Sequence, residues 1–121
     1  MILFDVNILI YAHREDQRHH VFYRSRLEST VSEAPAFGLT PLVAGGFIRI
    51  VTSAAFPNGP TPLPQALAVV DSLMEHPNSH WISPGNRHWE LFCSLCRRSR
   101  SKGKGIADAQ HAAIAIEHAC S

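Results

Sequence analysis

Apolar residues along the chain alternate between short continuous runs and longer stretches with helical spacing. Ile2, Leu3 and Phe4 form one such run, which ends at Asp5; Ile8, Leu9, Tyr11 and Ala12 then follow at helical intervals. This predicts a buried strand feeding directly into a helix, with Asp5 at the carboxyl end of the strand. A second helix is expected over about 18–32, with Val21, Phe22, Leu27 and Val31 on its apolar face. Pro35 stops it, and residues 36–39 read as another short strand. Thr40-Pro41 opens a third helix, because threonine caps free backbone N–H groups and proline suits a first turn. Leu42, Val43, Phe47, Ile48 and Val51 continue it.

The proline-rich stretch 57–62 is a loop. Thr61-Pro62-Leu63 opens a further helix through Ala66, Leu67, Val70, Leu73 and Met74, which His76-Pro77-Asn78 ends. Trp81-Ile82 is a brief strand. Residues 86–99 read as a helix with Trp89, Phe92, Leu95 and Cys96 facing inward, 99–105 as a polar, basic loop, and 106–119 as a last helix opened by Ile106. Short strands alternating with helices predict an α/β fold: a short parallel sheet with helices packed on both faces, in three layers. Such sheets place their sites at the carboxyl ends of strands. Asp5 is expected there, and Asp108 in the first turn of the last helix.

The 121 residues amount to one domain, 1–121, and 45% hydrophobic against 17% charged is an ordinary globular balance. The formal net charge of +1 neither favours nor excludes a nucleic-acid partner, since distribution matters more than the sum. No stretch approaches the ~18 uninterrupted apolar residues of a membrane helix, and the N-terminus lacks the basic start of a signal peptide; a cytoplasmic location with no membrane partner is expected. Three cysteines, Cys93, Cys96 and Cys120, are unlike a secreted disulfide framework. Cys93-x-x-Cys96 has no second pair to complete a zinc site, and a redox role for it would require a low-pKa thiol. The eight histidines show no convincing ligand spacing: His111 and His118 are seven apart, too far along a helix to share an ion.

Asp5 and Asp108 each have a plain structural reading, an acid at the positive end of a helix. Their joint placement carries more weight. The opening M-I-L-F-D-V-N-I-L-I-Y-A resembles the first strand and helix of PIN domains, specifically the VapC-type toxins, in which an acid ends strand one and a small polar residue follows two positions later. Gly46-Phe47-Ile48-Arg49-Ile50-Val51-Thr52 is similar to the third-helix segment of one branch of these toxins, and His88-Trp89-Glu90-Leu91-Phe92 to another segment of the same branch. Ile106-Ala107-Asp108-Ala109-Gln110-His111-Ala112-Ala113-Ile114-Ala115 matches the next acidic segment, where Asp opens a helix of small residues. These segments span nearly the whole chain in the family's order.

The resemblance implies a PIN-like fold and a type II toxin–antitoxin module whose toxin is an endoribonuclease. Asp5 and Asp108 would be its catalytic, metal-binding carboxylates, and Asn7 a supporting residue that orients a ligand or water. The cofactor implied is Mg2+, with Mn2+ able to substitute. Magnesium prefers oxygen donors and keeps several waters, so one or two carboxylates suffice to anchor it. It can polarise a phosphodiester and lower the pKa of a bound water, a chemistry that needs no serine or cysteine nucleophile. Five of the 11 basic residues, Arg97, Arg98, Arg100, Lys102 and Lys104, precede Asp108 and form a candidate RNA-binding cluster or a solvated loop. The implied partners are an RNA substrate and a VapB-type antitoxin, in a homodimer or a toxin–antitoxin hetero-oligomer.

Two positions depart from the family pattern. Many PIN domains carry a third-helix Glu where this chain reads Ala44-Gly45-Gly46; Glu90 and Asp16 are candidate substitutes. The family also continues past the last helix into a strand and a T-D-x-D-F segment, so a fold lacking its C-terminal strand is expected here. The rival reading is a catalytically degenerate PIN-like domain that only binds an antitoxin or RNA.

Overall fold

The computed structural model describes residues 1–56 and 58–120. Three parallel strands, β1 (Ile2–Leu3), β2 (Phe37–Leu39) and β3 (Ser79–Trp81), form one sheet in the order β1-β2-β3. Ile2 pairs with Phe37 and Leu3 with Gly38; Phe37 pairs with Ser79 and Leu39 with Trp81. Helices α1 (Val6–His13) and α2 (His20–Glu33) link β1 to β2, and α3 (Pro41–Val51) and α4 (Leu63–Met74) link β2 to β3. Helices α5 (His88–Ser99) and α6 (Lys104–Glu117) follow and pack against each other. The α/β class and the parallel sheet are those the hydrophobic pattern predicts.

The core lies where α1, α3 and α4 meet the sheet. Phe37, Leu39, Phe47, Val51 and Ala66 are fully buried, and Leu9 and Val43 nearly so. The Phe4 and Phe37 rings pack with centroids 5.3 Å apart. Removing so much apolar surface from water is the main stabilising term in a domain of this size. Gly38, in the central strand, lets the chain pass close to its neighbours: a Cβ there would fall 2.9 Å from Ile82 Cγ1 and 3.0 Å from Leu3 Cδ1. Helix α3 begins as its sequence predicts, with Thr40 Oγ1 accepting from Val43 N at 3.0 Å and Pro41 in the first turn.

Several expectations are corrected. Val21 and Phe22 are 80% and 59% exposed, so α2 rests on the core mainly through Val31, with Leu27 half-buried. Trp89 is 71% exposed rather than inward-facing, and no residue of α5 is fully buried. The third strand starts earlier than predicted, at Ser79, because Asn78 O accepts from Phe37 N. The basic loop expected over 99–105 shrinks to 100–103, since α5 runs to Ser99 and α6 starts at Lys104. Pro57 of the predicted loop lies outside the described residues.

Candidate metal centre and the groups around it

Asp5 follows β1 and is the N-cap of α1. Its backbone is extended (φ −91°, ψ 160°), and Oδ1 accepts from Val6 N at 2.6 Å. The strand brings the residue to the carboxyl end of the sheet, and the helix start holds the carboxylate in one orientation. The side chain is half-buried, and Oδ1 is the oxygen this bond occupies. Asn7, the second residue of α1, is exposed.

Asp108 is the fifth residue of α6, not in its first turn; the helix opens two residues earlier than predicted, at Lys104 after Gly103. The plain reading of Asp108 as a helix-dipole acid therefore weakens, because that effect fades beyond the first turn. The side chain is exposed, and no ion pair engages it among the described residues. It lines a hollow of about 620 Å3 together with Leu95, Arg98, Ser99, Ser101 and Gly105.

The five basic residues occupy the tip of the α5–α6 hairpin. Arg97 and Arg98 end α5, Arg100 is its C-cap in the left-handed region (φ 50°), Lys102 is in the turn, and Lys104 opens α6. All five are exposed, and none is in an ion pair among the described residues. Gly103, at φ 57° and ψ −124°, supplies a turn conformation that a side chain would strain.

The candidate substitutes for the third-helix acid fare unequally. A Cβ on Gly46 would meet Val6 Cγ2 at 3.7 Å, so this part of α3 does lie beside the residue after Asp5, while Gly45 faces open space. Glu90 is exposed in the first turn of α5. Asp16 is engaged elsewhere: Arg14 Nε donates to its Oδ1 at 3.0 Å and Nη2 to its Oδ2 at 2.5 Å. The bonds from Arg14 hold the Asp16 carboxyl below the usual carboxylate range.

That pair belongs to a network sequence reasoning missed. Arg14 Nη1 donates to Thr61 Oγ1 at 3.2 Å, His13 Nε2 lies 3.0 Å from the same oxygen, and the Arg14 guanidinium covers the Phe56 ring at 4.2 Å. Burial, then the neighbouring Arg14 charge, pushes the His13 imidazole below its ordinary pKa. A second missed feature is Glu117, whose two carboxylate oxygens accept from Gly85 N (2.8 Å) and Arg87 N (2.9 Å). These bonds lower its pKa, that from Gly85 most, and tie the end of α6 to the loop before α5. Glu117 is thus committed to backbone amides.

Oxygen donors open to water are the ligands magnesium takes, and a site of two carboxylates completed by water fits its habits. Among the described residues no group of three or more His, Cys, Asp or Glu side chains gathers, and the hollow that Asp108 lines does not include Asp5.

The PIN domain family profile matches residues 2–121. The chain belongs to the PIN-domain family, in its VapC branch. It is 41% identical over 118 residues to VapC ribonuclease Mb2897 of Mycobacterium bovis, an alignment covering 98% of this chain and 80% of that protein. With ribonuclease VapC25 of Mycobacterium tuberculosis it shares 35% identity, over all of this chain and 85% of the relative. The fold matches the crystal structure of Mycobacterium tuberculosis VapC20, described as a sarcin-ricin loop cleaving toxin, with a TM-score of 0.73 at 11% identity, covering 99% of this chain and 85% of that one. It also matches VapBC2 from Rickettsia felis, crystallised on a DNA fragment from its promoter, with a TM-score of 0.65 at 18% identity, over 99% and 84% of the two chains. No helix among the described residues is long and apolar enough to cross a membrane.

Proposed function

We propose that this chain is the toxin of a type II toxin–antitoxin module, an endoribonuclease that depends on Mg2+ and accepts Mn2+. The reading is carried by one observation above others: relatives named VapC ribonucleases align with nearly all of the chain at up to 41% identity. Asp5, at the end of β1, supports it from the structure, since its carboxylate is fixed by the α1 amide.

In this reading Asp5 and Asp108 would hold the metal, which when bound would supply Lewis-acid polarisation of the phosphodiester and activation of water. Hydrolysis adds water across one P–O ester bond, leaving a phosphate on one RNA end and a hydroxyl on the other. The chain's own part is to hold the two carboxylates in place, to orient a ligand or water through Asn7, and to grip the RNA. Arg97, Arg98, Arg100, Lys102 and Lys104 neutralise phosphates along the hairpin tip. The antitoxin partner is of VapB type; the structural likeness to a VapBC assembly supports that pairing. Exposed apolar side chains, among them Leu63, Leu67 and Ile116, are available for burial in a homodimer or toxin–antitoxin assembly.

The test is cleavage of single-stranded RNA by the purified chain with Mg2+, with EDTA, and with Mn2+ restored after EDTA. Cleavage in both metals and none in EDTA is expected. Cleavage that persists in EDTA would refute metal dependence. An inert chain that still binds RNA or antitoxin would establish the degenerate reading instead.

A further inference from the structure

Arg98 differs from the other four basic residues of the hairpin tip. It lines the hollow of about 620 Å3 that also contains Asp108, with the hydroxyls of Ser99 and Ser101 beside it. Among the described residues its one side-chain hydrogen bond is to Ser94 Oγ, at 3.3 Å from Nη2, a long bond to a neutral group one helical turn back. Arg98 and Asp108 therefore border the same open hollow, and neither is in an ion pair among the described residues. Left apart, they suit a guest that carries negative charge toward the arginine and a cation toward the acid.

We propose that Arg98 is a catalytic residue, gripping the phosphodiester that is cut, while Arg97, Arg100, Lys102 and Lys104 hold only flanking phosphates. The inference rests on the ribonuclease reading above and gives one residue of the cluster a distinct task. A planar guanidinium fits two non-bridging phosphate oxygens at once, which a lysine cannot do. The Ser99 and Ser101 hydroxyls line the same wall with their protons already committed, since Ser99 Oγ donates to Leu95 O at 2.8 Å and Ser101 donates to Ser99 Oγ, so the grip falls to the guanidinium. Charge that builds on the phosphate during hydrolysis strengthens the arginine's grip, so its contribution belongs to turnover and not to binding alone. The tip lysines have no concave wall behind them in this hollow, and their effect should be long-range and sensitive to salt.

Arg98 is exposed and its one side-chain hydrogen bond among the described residues is exposed too, so its replacement should leave the fold intact; thermal melts of each variant check this. Two experiments run on the whole chain with one short single-stranded RNA: steady-state cleavage in Mg2+, and binding by fluorescence anisotropy in EDTA. Arg98→Ala should lower kcat by about a hundredfold, the usual effect of losing one donor to transition-state charge. Arg98→Lys should recover only part of it. Lys102→Ala should raise KM, leave kcat near that of the parent, and reduce the salt slope of binding by about 0.7. In EDTA, Arg98→Ala should weaken binding more than Lys102→Ala does. A kcat for Arg98→Ala within threefold of the parent, or full rescue by lysine, overturns the assignment while the ribonuclease reading stands. If the parent binds RNA through Arg98 but never cleaves it, the catalytic assignment falls together with the enzyme reading. A parent that neither binds nor cleaves overturns both.

Discussion

Thr61→Val removes one hydroxyl at nearly constant volume, from a side chain only 5% exposed. That oxygen accepts from Arg14 Nη1 at 3.2 Å and bonds His13 Nε2 at 3.0 Å, joining the end of α1 to the loop before α4. Valine leaves Arg14 Nη1 and His13 Nε2 without that oxygen, while Arg14 keeps its bonds to Asp16. A hydrogen bond to a charged group contributes about 1.5–3 kcal/mol and a neutral one about 1 kcal/mol. Arg14 is only 9% exposed, so water replaces the lost acceptor poorly, whereas the half-buried His13 can turn outward. The expected loss is therefore about 2–4 kcal/mol, or roughly 10 °C in Tm for a domain of this length. Urea unfolding followed by far-UV circular dichroism should show a lower midpoint with an unchanged slope. A change below about 0.5 kcal/mol, the range of ordinary surface substitutions, would refute the view that Thr61 links these elements.

Phe47 is fully buried and meets the His13 ring edge-on at 5.5 Å; Phe47→Ala should cost about 3–5 kcal/mol, read in the same unfolding assay. Gly38→Ala puts a methyl group 2.9 Å from Ile82 Cγ1 and 3.0 Å from Leu3 Cδ1, and should destabilise by about 1–3 kcal/mol through overpacking of the central strand. Stability should also fall on acidification. Because the folded state lowers the His13 pKa, the unfolded chain takes up the proton first, so this contribution is complete above the ordinary value of 6.5 and declines as pH drops below it. Asp16 and Glu117, also lowered, add a second decline that starts as pH falls through their ordinary values of 3.8 and 4.5. Urea midpoints from pH 8 to pH 4 should show the first step, and His13→Gln should remove it.

Features decided by neighbours in sequence were legible before any coordinates. The run Ile2 to Phe4 ending at Asp5, and Thr40-Pro41 opening α3, depend on local sterics and capping, and both are found as read. The inward face assigned to Trp89 and Phe22 failed because helical spacing says which residues share a face, not whether another element covers it. The start of α6 was misplaced because Lys104-Gly105 is a poor helix opening by propensity, and the Gly103 turn conformation decides it. The hub at Thr61 joins residues 47 and 48 apart, and Glu117 reaches Gly85 over 32 positions; no local pattern announces such bonds. At the candidate site, Asp5 and Asp108 stand out in the sequence through the resemblance of the segments that carry them to PIN domains. That Arg98 alone among the basic residues shares the Asp108 hollow was not legible there, since it depends on how α5 lies against α6.

The central claim is that Asp5 and Asp108 serve one metal-dependent cut. The most direct measurement is RNA cleavage in Mg2+ by Asp5→Asn, Asp108→Asn and the double variant, each checked for folding. Carboxylates acting as one unit predict that either single change abolishes nearly all activity and that the double is no worse than the singles. Cleavage at the parental rate by either single variant, or losses that simply multiply in the double, would contradict it.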